Sequence, residues 1–274
     1  MNIGINPGHF IKAAVGEEER SWREALDLVV EAGFKHFDFV CREENVEPVS
    51  EYLKEKEITV TQSHIPFNRY AKKDYSLFRE DVMACADRAK RLGSKILVVH
   101  GDEFDMKSAA YTNKRALEFN YSFFYPLVEY AEANGMRVAF ENLFQDPNMF
   151  RETRFCAHVD ELCELVDKYN SKNVGICWDS GHGYMQYGAK HLEALKEAGS
   201  RIICTHLHDN YYSRDLHVFP FLGEIDWKEF IHALRGTGYE GNFTYELVYD
   251  RLPKALAPEY LKLLYKTAEY IISL

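Results

Sequence analysis

Histidine and aspartate are concentrated in one short part of the chain, between residues 205 and 217. The sequence there reads "THLHDN" at 205–210 and "DLH" at 215–217. Alternate side chains of an extended strand face the same side, so His206 and His208 can point together into one space. Imidazole nitrogens and carboxylate oxygens are good ligands for zinc, manganese and related divalent ions. This part of the chain is therefore either a polar surface loop or one wall of a metal site.

Other short apolar runs also end in a histidine or a carboxylate. The runs containing "TQSH", "LVVH", "AFEN", "CWDSGH" and "FTYEL" supply His64, His100, Glu141, Asp179 with His182, and Glu246. Taken alone, each such residue is more often a helix cap or a hydrogen-bonded structural group than a ligand. Their repetition along successive runs favours a shared site, provided that the fold brings the ends of the runs together.

Eight β-rich runs alternate with amphipathic helical segments along the chain. The runs occupy residues 2–6, 36–40, 58–64, 95–100, 137–142, 174–179, 201–209 and 242–247, and helical spacing is clearest at 21–33, 76–93 and 159–170. Several helical segments end in residues typical of C-caps, namely Gly33, Gly93, Gly135, Asn170 and Gly238. No GxGxxG follows the first run, as an open dinucleotide-binding sheet would favour. The pattern predicts a single (β/α)₈ TIM barrel that occupies residues 1–274 as one domain.

A barrel has a direct consequence for the polar residues at the strand ends. The carboxyl ends of all its strands meet at one mouth, where the active sites of such barrels lie. Several carboxylates and imidazoles packed there would be costly to desolvate unless a cation neutralised them. The sequence therefore predicts a divalent metal centre at the mouth, with zinc or manganese as the best-fitting ions. Asp215 and His217 either extend this centre or belong to a hydrated loop.

Composition restricts the class of protein. Of 274 residues, 46% are hydrophobic and 14% aromatic, which excludes a disordered or fibrous chain. The net charge of −10 and the absence of a basic stripe with interleaved aromatics argue against nucleic acid as a partner. No apolar run is long enough to span a membrane, and no signal peptide is evident. Six cysteines without a CxxC pair indicate reduced, buried thiols in a cytoplasmic protein.

Five segments together resemble the xylose-isomerase-like barrel superfamily, which joins sugar isomerases and epimerases, inosose dehydratases and the endonuclease IV family. They are "FEN" at 140–142, "DSGH" at 179–182, "HLHDN" at 206–210, "DLH" with "LGEIDW" at 215–227, and "YEL" at 245–247. The resemblance covers essentially the whole chain. It implies one divalent ion held by Glu141, Asp179, His206 and Glu246. His206 is preferred because it stands three residues before Asp209, and His208 is the alternative.

The resemblance implies two enzymatic functions. The sugar-active branch implies a metal-dependent isomerase or epimerase of a small carbohydrate: a sugar, sugar acid or cyclitol. Its mechanism would be a metal-stabilised enediolate, with Glu141 and Glu246 as acid and base and His182 near substrate hydroxyls. The endonuclease IV branch implies a phosphodiesterase with up to three zinc ions acting on abasic DNA. Its further ligands would match His64, His100, His182, Asp215 and His217. A barrel that binds a sugar or metal without turnover is a third interpretation.

The chain also departs from these relatives. Ketose 3-epimerases carry a further glutamate where this chain has Pro147. They also carry an arginine in the loop after the metal-binding histidine, which has no clear match here because Arg214 is near that position but out of register. The segment "LGEIDW" lacks one glycine of the usual spelling. The exact substrate and the metal therefore stay open. So does the oligomeric state, because the tyrosine-rich segment 121–132 suits either a contact between identical subunits or packing on the barrel.

Overall fold

The central feature is a sheet of eight parallel strands. The computed structural model describes residues 1–11, 17–39, 46–67, 74–102, 111–145, 154–211, 214–248 and 252–274. In these ranges the sheet strands are β1 (Ile3–Ile5), β2 (His36–Asp38), β3 (Thr59–His64), β4 (Ile96–His100), β5 (Arg137–Glu141), β6 (Val174–Asp179), β7 (Ile202–His206) and β10 (Phe243–Tyr245). Their order is β10-β1-β2-β3-β4-β5-β6-β7, and a bridge between Leu207 and Tyr245 joins the two outer strands. The predicted single (β/α)₈ TIM barrel is confirmed.

Helices follow the strands around the outside of this sheet. In the described ranges they are α1 (Trp22–Glu31), α2 (Glu47–Glu55), α3 (Tyr75–Arg91), α4 (Asn113–Ala133), α5 (Val159–Lys168), α6 (Ser180–Tyr187), α7 (His191–Ala198), α8 (Trp227–Gly236) and α9 (Ala257–Ser273). The predicted C-cap residues all have positive φ angles, from 47° at Asn170 to 110° at Gly33. The side chains of Ser21, Asp74, Thr112, Asp179 and Asp226 accept hydrogen bonds from the first turns of their helices.

Strand register places the polar strand ends at matching heights. His100 pairs with Glu141 across β4 and β5, and Asp179 pairs with His206 across β6 and β7. Beneath this level, Val98, Ala139, Cys177 and Cys204 form a small apolar cluster in the barrel interior. The polar residues are therefore held by neighbouring, hydrogen-bonded strands above an apolar floor.

The region after β7 differs from the sequence prediction. The run 201–209 was expected to be one strand, but β7 ends at His206 and the chain turns into an antiparallel hairpin of β8 (Asp209–Tyr211) and β9 (Arg214–Val218). The cause is the buried side chain of Asp209, which accepts hydrogen bonds from the backbone N–H groups of Phe221 and Ile225 and from the indole of Trp227. These bonds draw the chain away from the barrel axis.

Other expectations concern surfaces and thiols. In α4 the side chains of Phe123, Phe124, Leu127 and Val128 are buried in the main core, so much of this aromatic segment packs within the protein. The five cysteines in the described ranges are buried and form no disulfide with one another, whereas Cys41 lies outside those ranges. Among the described residues, no helix combines the length and apolarity that a bilayer crossing requires.

Candidate metal centre at the barrel mouth

The four predicted ligands meet at one point. Glu141, Asp179, His206 and Glu246 each offer an atom within 4.8 Å of the atoms offered by the others. The His206 Nδ1 atom lies 3.1 Å from Glu141 Oε2 and 3.4 Å from Glu246 Oε2. Glu141, Asp179 and His206 are fully buried, while the Glu246 side chain is 14% exposed. Strands β5, β6 and β7 and the residue after β10 thus bring one mixed set of nitrogen and oxygen atoms together.

Asn142 holds Asp179 in place. The Asn142 side chain accepts a hydrogen bond from Asp179 N at 2.6 Å and donates one to Asp179 O at 3.0 Å. The Asp179 Oδ1 atom in turn accepts from His182 N at 2.6 Å and caps α6. The carboxylate is therefore fixed at the junction of β6 and α6 before any ligand binds.

The structure also separates the two histidines of "HLHDN". His206 contacts both glutamates of the four-residue group, whereas His208 Nε2 lies 3.0 Å from Asp179 Oδ2 and faces a second group. That second group consists of His182, His208, Asp215 and His217, whose candidate atoms again lie within 4.8 Å of one another. Asp215 and His217 therefore lie beside the four-residue group, with side chains that are 28% and 17% exposed.

A third group lies on the other side of Glu141. The Nε2 atoms of His64 and His100 are 3.2 Å apart, and they lie 3.3 Å and 3.2 Å from Glu141 Oε2. Phe67 is 49% exposed and stacks on the His100 ring with centroids 5.6 Å apart. All of the predicted additional residues, His64, His100, His182, His208, Asp215 and His217, thus belong to this one continuous mouth.

Most of the histidines are oriented by the backbone. The Nδ1 atoms of His64, His182, His208 and His217 lie 2.8, 3.0, 3.4 and 3.0 Å from the carbonyl oxygens of Ile65, Asn142, Asp209 and Glu246. A carbonyl can only accept, so each Nδ1 carries the hydrogen and each Nε2 faces the site. This is the orientation in which imidazoles bind metals. His217 adopts it at a φ of 46°, in the left-handed region that residues other than glycine enter infrequently.

Sequence reasoning missed Asp38, the last residue of β2. Asp38 is fully buried, and its Oδ2 atom lies 2.7 Å from His206 Nε2. The available signal was a charged residue within the apolar run "HFDFV", where a strand buried in a barrel should carry none. The run does not end at this aspartate, so a search confined to strand ends passes over it.

The charges of the site are strongly coupled. Burial alone would lower the pKa of His206, but the carboxylates of Glu246 and Glu141 raise that pKa well above 6.5. Burial would raise the pKa of Glu141, but the nearby imidazoles of His206 and His100 hold it well below its usual value. Burial likewise opposes the charge on His217, yet its hydrogen bond with Asp215 raises the pKa of His217 to about 9. Without a cation, protons on the imidazoles balance the carboxylates.

The residues present fit a divalent cation. The Oε1 atom of Glu141 is buried and, among the described residues, has only an ion-pair contact with His182 Nδ1 at 3.3 Å and no well-formed hydrogen bond. A buried carboxylate oxygen with so few partners suits a ligand position. The surrounding donors are imidazole nitrogens and carboxylate oxygens, the set that zinc and manganese share. The thiol of Cys177 also lies within 4.8 Å of candidate atoms of Glu141 and His206. The segment that contains Pro147 lies outside the described residues.

Comparison with known proteins agrees with this fold. The chain belongs to the xylose isomerase-like TIM barrel family, whose profile matches residues 26–267. It is 27% identical over 267 residues to the uncharacterized protein y4fM of Sinorhizobium fredii, and the match covers 84% of this chain and 82% of that protein.

Two solved structures share the fold over the full chain. A D-tagatose 3-epimerase-like protein superposes with a TM-score of 0.77 at 23% identity, covering 100% of this chain and 98% of the other. The IolI protein, solved with a zinc atom bound, superposes with a TM-score of 0.78 at 19% identity and the same coverage. At such identities the likeness establishes the fold alone.

Proposed function

We propose that this protein is a divalent-metal-dependent isomerase or epimerase of a sugar, sugar acid or cyclitol. The observation that carries the proposal is the convergence of Glu141, Asp179, His206 and Glu246 at the barrel mouth. Two similar structures support the same class, since one is described as epimerase-like and the other contains zinc. Zinc and manganese are the ions that this ligand set favours.

The reaction would be a proton transfer next to a substrate carbonyl. A bound divalent ion supplies Lewis acidity toward the carbonyl oxygen and the neighbouring hydroxyl. Glu246 is the more accessible glutamate, since its side chain is 14% exposed and that of Glu141 is 1% exposed. We assign Glu246 to removal of the proton that gives the enediolate, and Glu141 to its return from the opposite side. His182 is our candidate for contact with a substrate hydroxyl: its Nδ1 is bonded to Asn142 O, and its Nε2 lies 3.6 Å from Asp215 Oδ2 at the mouth.

The test combines metal analysis with isotope exchange. Purified protein is analysed for bound metals and then incubated in deuterated water with a panel of ketoses, keto sugar acids and keto cyclitols. We expect about one ion per chain and deuterium at the carbon beside the carbonyl. Glu141→Gln and Glu246→Gln should each lower exchange by roughly 100-fold or more, the usual contribution of a general acid or base. Glu193→Gln, an exposed position on α7, is the control and should exchange normally.

Two outcomes would contradict this assignment. Bound metal without exchange from any substrate would indicate a binding protein rather than an isomerase. About three zinc ions per chain together with cleavage of abasic DNA would favour the multizinc phosphodiesterase. The observation that favours this alternative is the presence of two further groups of candidate ligands, around His64 and around His217, beside the main group.

A further inference from the structure

We propose that Asp38 is a positioning residue, which holds the His206 imidazole so that Nδ1 faces Glu141 and Glu246. The inference rests on the proposed cation site. It adds to that site a residue that contacts a proposed metal ligand but is not itself a proposed ligand. Asp38 belongs to none of the groups of candidate metal ligands found among the described residues. Its effect on a cation must therefore pass through His206.

The contact between Asp38 and His206 determines which ring nitrogen can bind a cation once the ring has lost one proton. A carboxylate accepts hydrogen bonds and does not donate them, so His206 Nε2–H is the donor to Asp38 Oδ2 across 2.7 Å. The Nδ1 atom is then left to face the two glutamates, 3.1 Å and 3.4 Å away. Loss of the carboxylate would free the ring to carry its hydrogen on Nδ1, where it would point at the ligand position.

His206 differs in this respect from its neighbours. The rings of His64, His182, His208 and His217 are all oriented through Nδ1 by backbone carbonyls, which mutation cannot remove. His206 is oriented through Nε2 by a side chain. A carboxylate partner also makes an imidazole a stronger ligand than a carbonyl partner does.

The barrel interior is built to present Asp38 in this way. Strand pairing shifts between Phe37 and Asp38, so that Asp38 lies opposite Gln62 rather than the next residue of β3. Gln62 Nε2 donates to Asp38 Oδ2 at 3.4 Å and to Thr205 O at 3.2 Å, which ties the carboxylate to the strand that carries His206. The Asp38 Oδ1 atom is buried and makes no hydrogen bond with the residues that the structure describes. A carboxylate kept only for stability would be expected to use both oxygens.

The experiment measures zinc affinity by competition with a chromogenic chelator, without reference to turnover. Asp38→Asn should weaken zinc binding by about 10- to 100-fold, the usual effect of removing an outer-shell partner. The same change in a His206→Ala background should cause no further loss, because the residue through which Asp38 acts is absent. Ser63→Ala is the matched control: Ser63 is an equally buried polar strand residue that bonds to Phe39 O and Ser94, and zinc affinity should be unchanged.

A second measurement uses the wild-type protein, so it does not depend on whether a variant at position 38 folds. In protein with isotope-labelled histidine and NMR-active cadmium, coupling should connect the metal to His206 Nδ1 and a proton should reside on Nε2. Coupling to Nε2 would overturn the inference, as would unchanged zinc affinity in folded Asp38→Asn or equal losses in both backgrounds. Failure of the wild-type protein to bind any divalent ion would instead overturn the proposed function, and this inference with it.

Discussion

The imidazole ring of His208 is stacked on that of His217, with centroids 3.8 Å apart and planes inclined by 14°. The two rings nevertheless contact different carboxylates, since His208 Nε2 faces Asp179 and His217 Nε2 faces Asp215. His208 thus stands between the main four-residue group and the second group. His206 belongs to the main group and not to the second group, and this difference permits a direct comparison of the two histidines.

Replacing each strand-seven histidine should have different consequences. His206→Ala removes the nitrogen shared by Glu141 and Glu246, so we expect metal affinity to fall by more than about 100-fold, beyond the range of outer-shell changes. His208→Ala leaves that nitrogen in place and should retain about one ion per chain with a smaller loss. Metal content after dialysis and titration with zinc would check both variants. Equal losses would indicate that His208 is itself a ligand of the main group.

Gly181 provides a test of the second group that changes no polar residue. A Cβ atom at position 181 would lie 2.0 Å from His208 Cε1 and 2.6 Å from Asn210 Nδ2, so the alanine variant must displace both side chains. We expect Gly181→Ala to lower the free energy of unfolding by about 1–3 kcal/mol, as overpacking usually does. It should also weaken any ion held by the second group more than one held by the main group.

The control for this variant is Gly236→Ala at the end of α8. A Cβ atom there would meet nothing within 4 Å, so this alanine should be neutral or stabilise the protein by about 0.4–1 kcal/mol. Thermal denaturation of both variants would check the comparison. Equal stability of the two alanine variants would show that the loop carrying His208 moves freely away from α6.

Sequence patterns predicted the parts of this molecule that depend on local rules. The positive φ angles at Gly33 and Asn170 follow from helix C-cap chemistry, and the meeting of Glu141 with Asp179 follows from the geometry of adjacent parallel strands. The contact of Asp38 with His206 could not be predicted from the sequence by such local rules. It depends on a shift of register between β2 and β3 and on a partner in β7, more than 160 residues away. The hairpin after His206 similarly depends on the distant donors that reach Asp209.

Metal binding should stabilise the protein, and more so as the pH rises. The pKa of His206, a proposed ligand, is raised well above 6.5 by the carboxylates of Glu246 and Glu141, so in metal-free protein its ring carries a proton at neutral pH that a cation must displace. A metal at 100 times its dissociation constant adds about 2.7 kcal/mol to the free energy of unfolding. The gain at a fixed metal concentration should therefore be smaller at pH 6 than at pH 8.5.

In the metal-free protein, the contribution of His217 to the free energy of unfolding should decrease as the pH rises. The pKa of His217 is about 9 in the folded state against 6.5 for an ordinary histidine. Its stabilising contribution is therefore fully present below pH 6.5 and is lost as the pH rises through 9. Thermal denaturation with EDTA and with zinc at several pH values would measure the difference. A gap between the two melting temperatures that does not widen with pH would contradict the predicted competition between protons and metal.

Glu161, which belongs to none of the groups of candidate ligands, makes a separate prediction about pH and stability. It lies in the first turn of α5, where burial and the nearby charge of Asp160 raise its pKa to about 7. Its Oε1 atom accepts a hydrogen bond from the Asn113 side chain, whereas Oε2 is buried without a well-formed hydrogen bond from the described residues. Because the folded state holds this proton up to a higher pH than the unfolded state, the free energy of unfolding should fall as the pH rises from 4.5 through 7.

Glu161→Gln should remove that dependence, because glutamine stays neutral at every pH. We expect little change in melting temperature near pH 4.5 and an increase of about 2–4 °C at pH 8, corresponding to roughly 1 kcal/mol after allowance for solvent screening. The control is Glu193→Gln, which removes an exposed carboxylate from the first turn of α7 and should not raise the melting temperature at pH 8. Since both variants lose the same favourable interaction with a helix N-terminus, their difference isolates the cost of burying the Glu161 charge. A parallel response of the two variants from pH 4.5 to 8 would show that Glu161 carries no such cost.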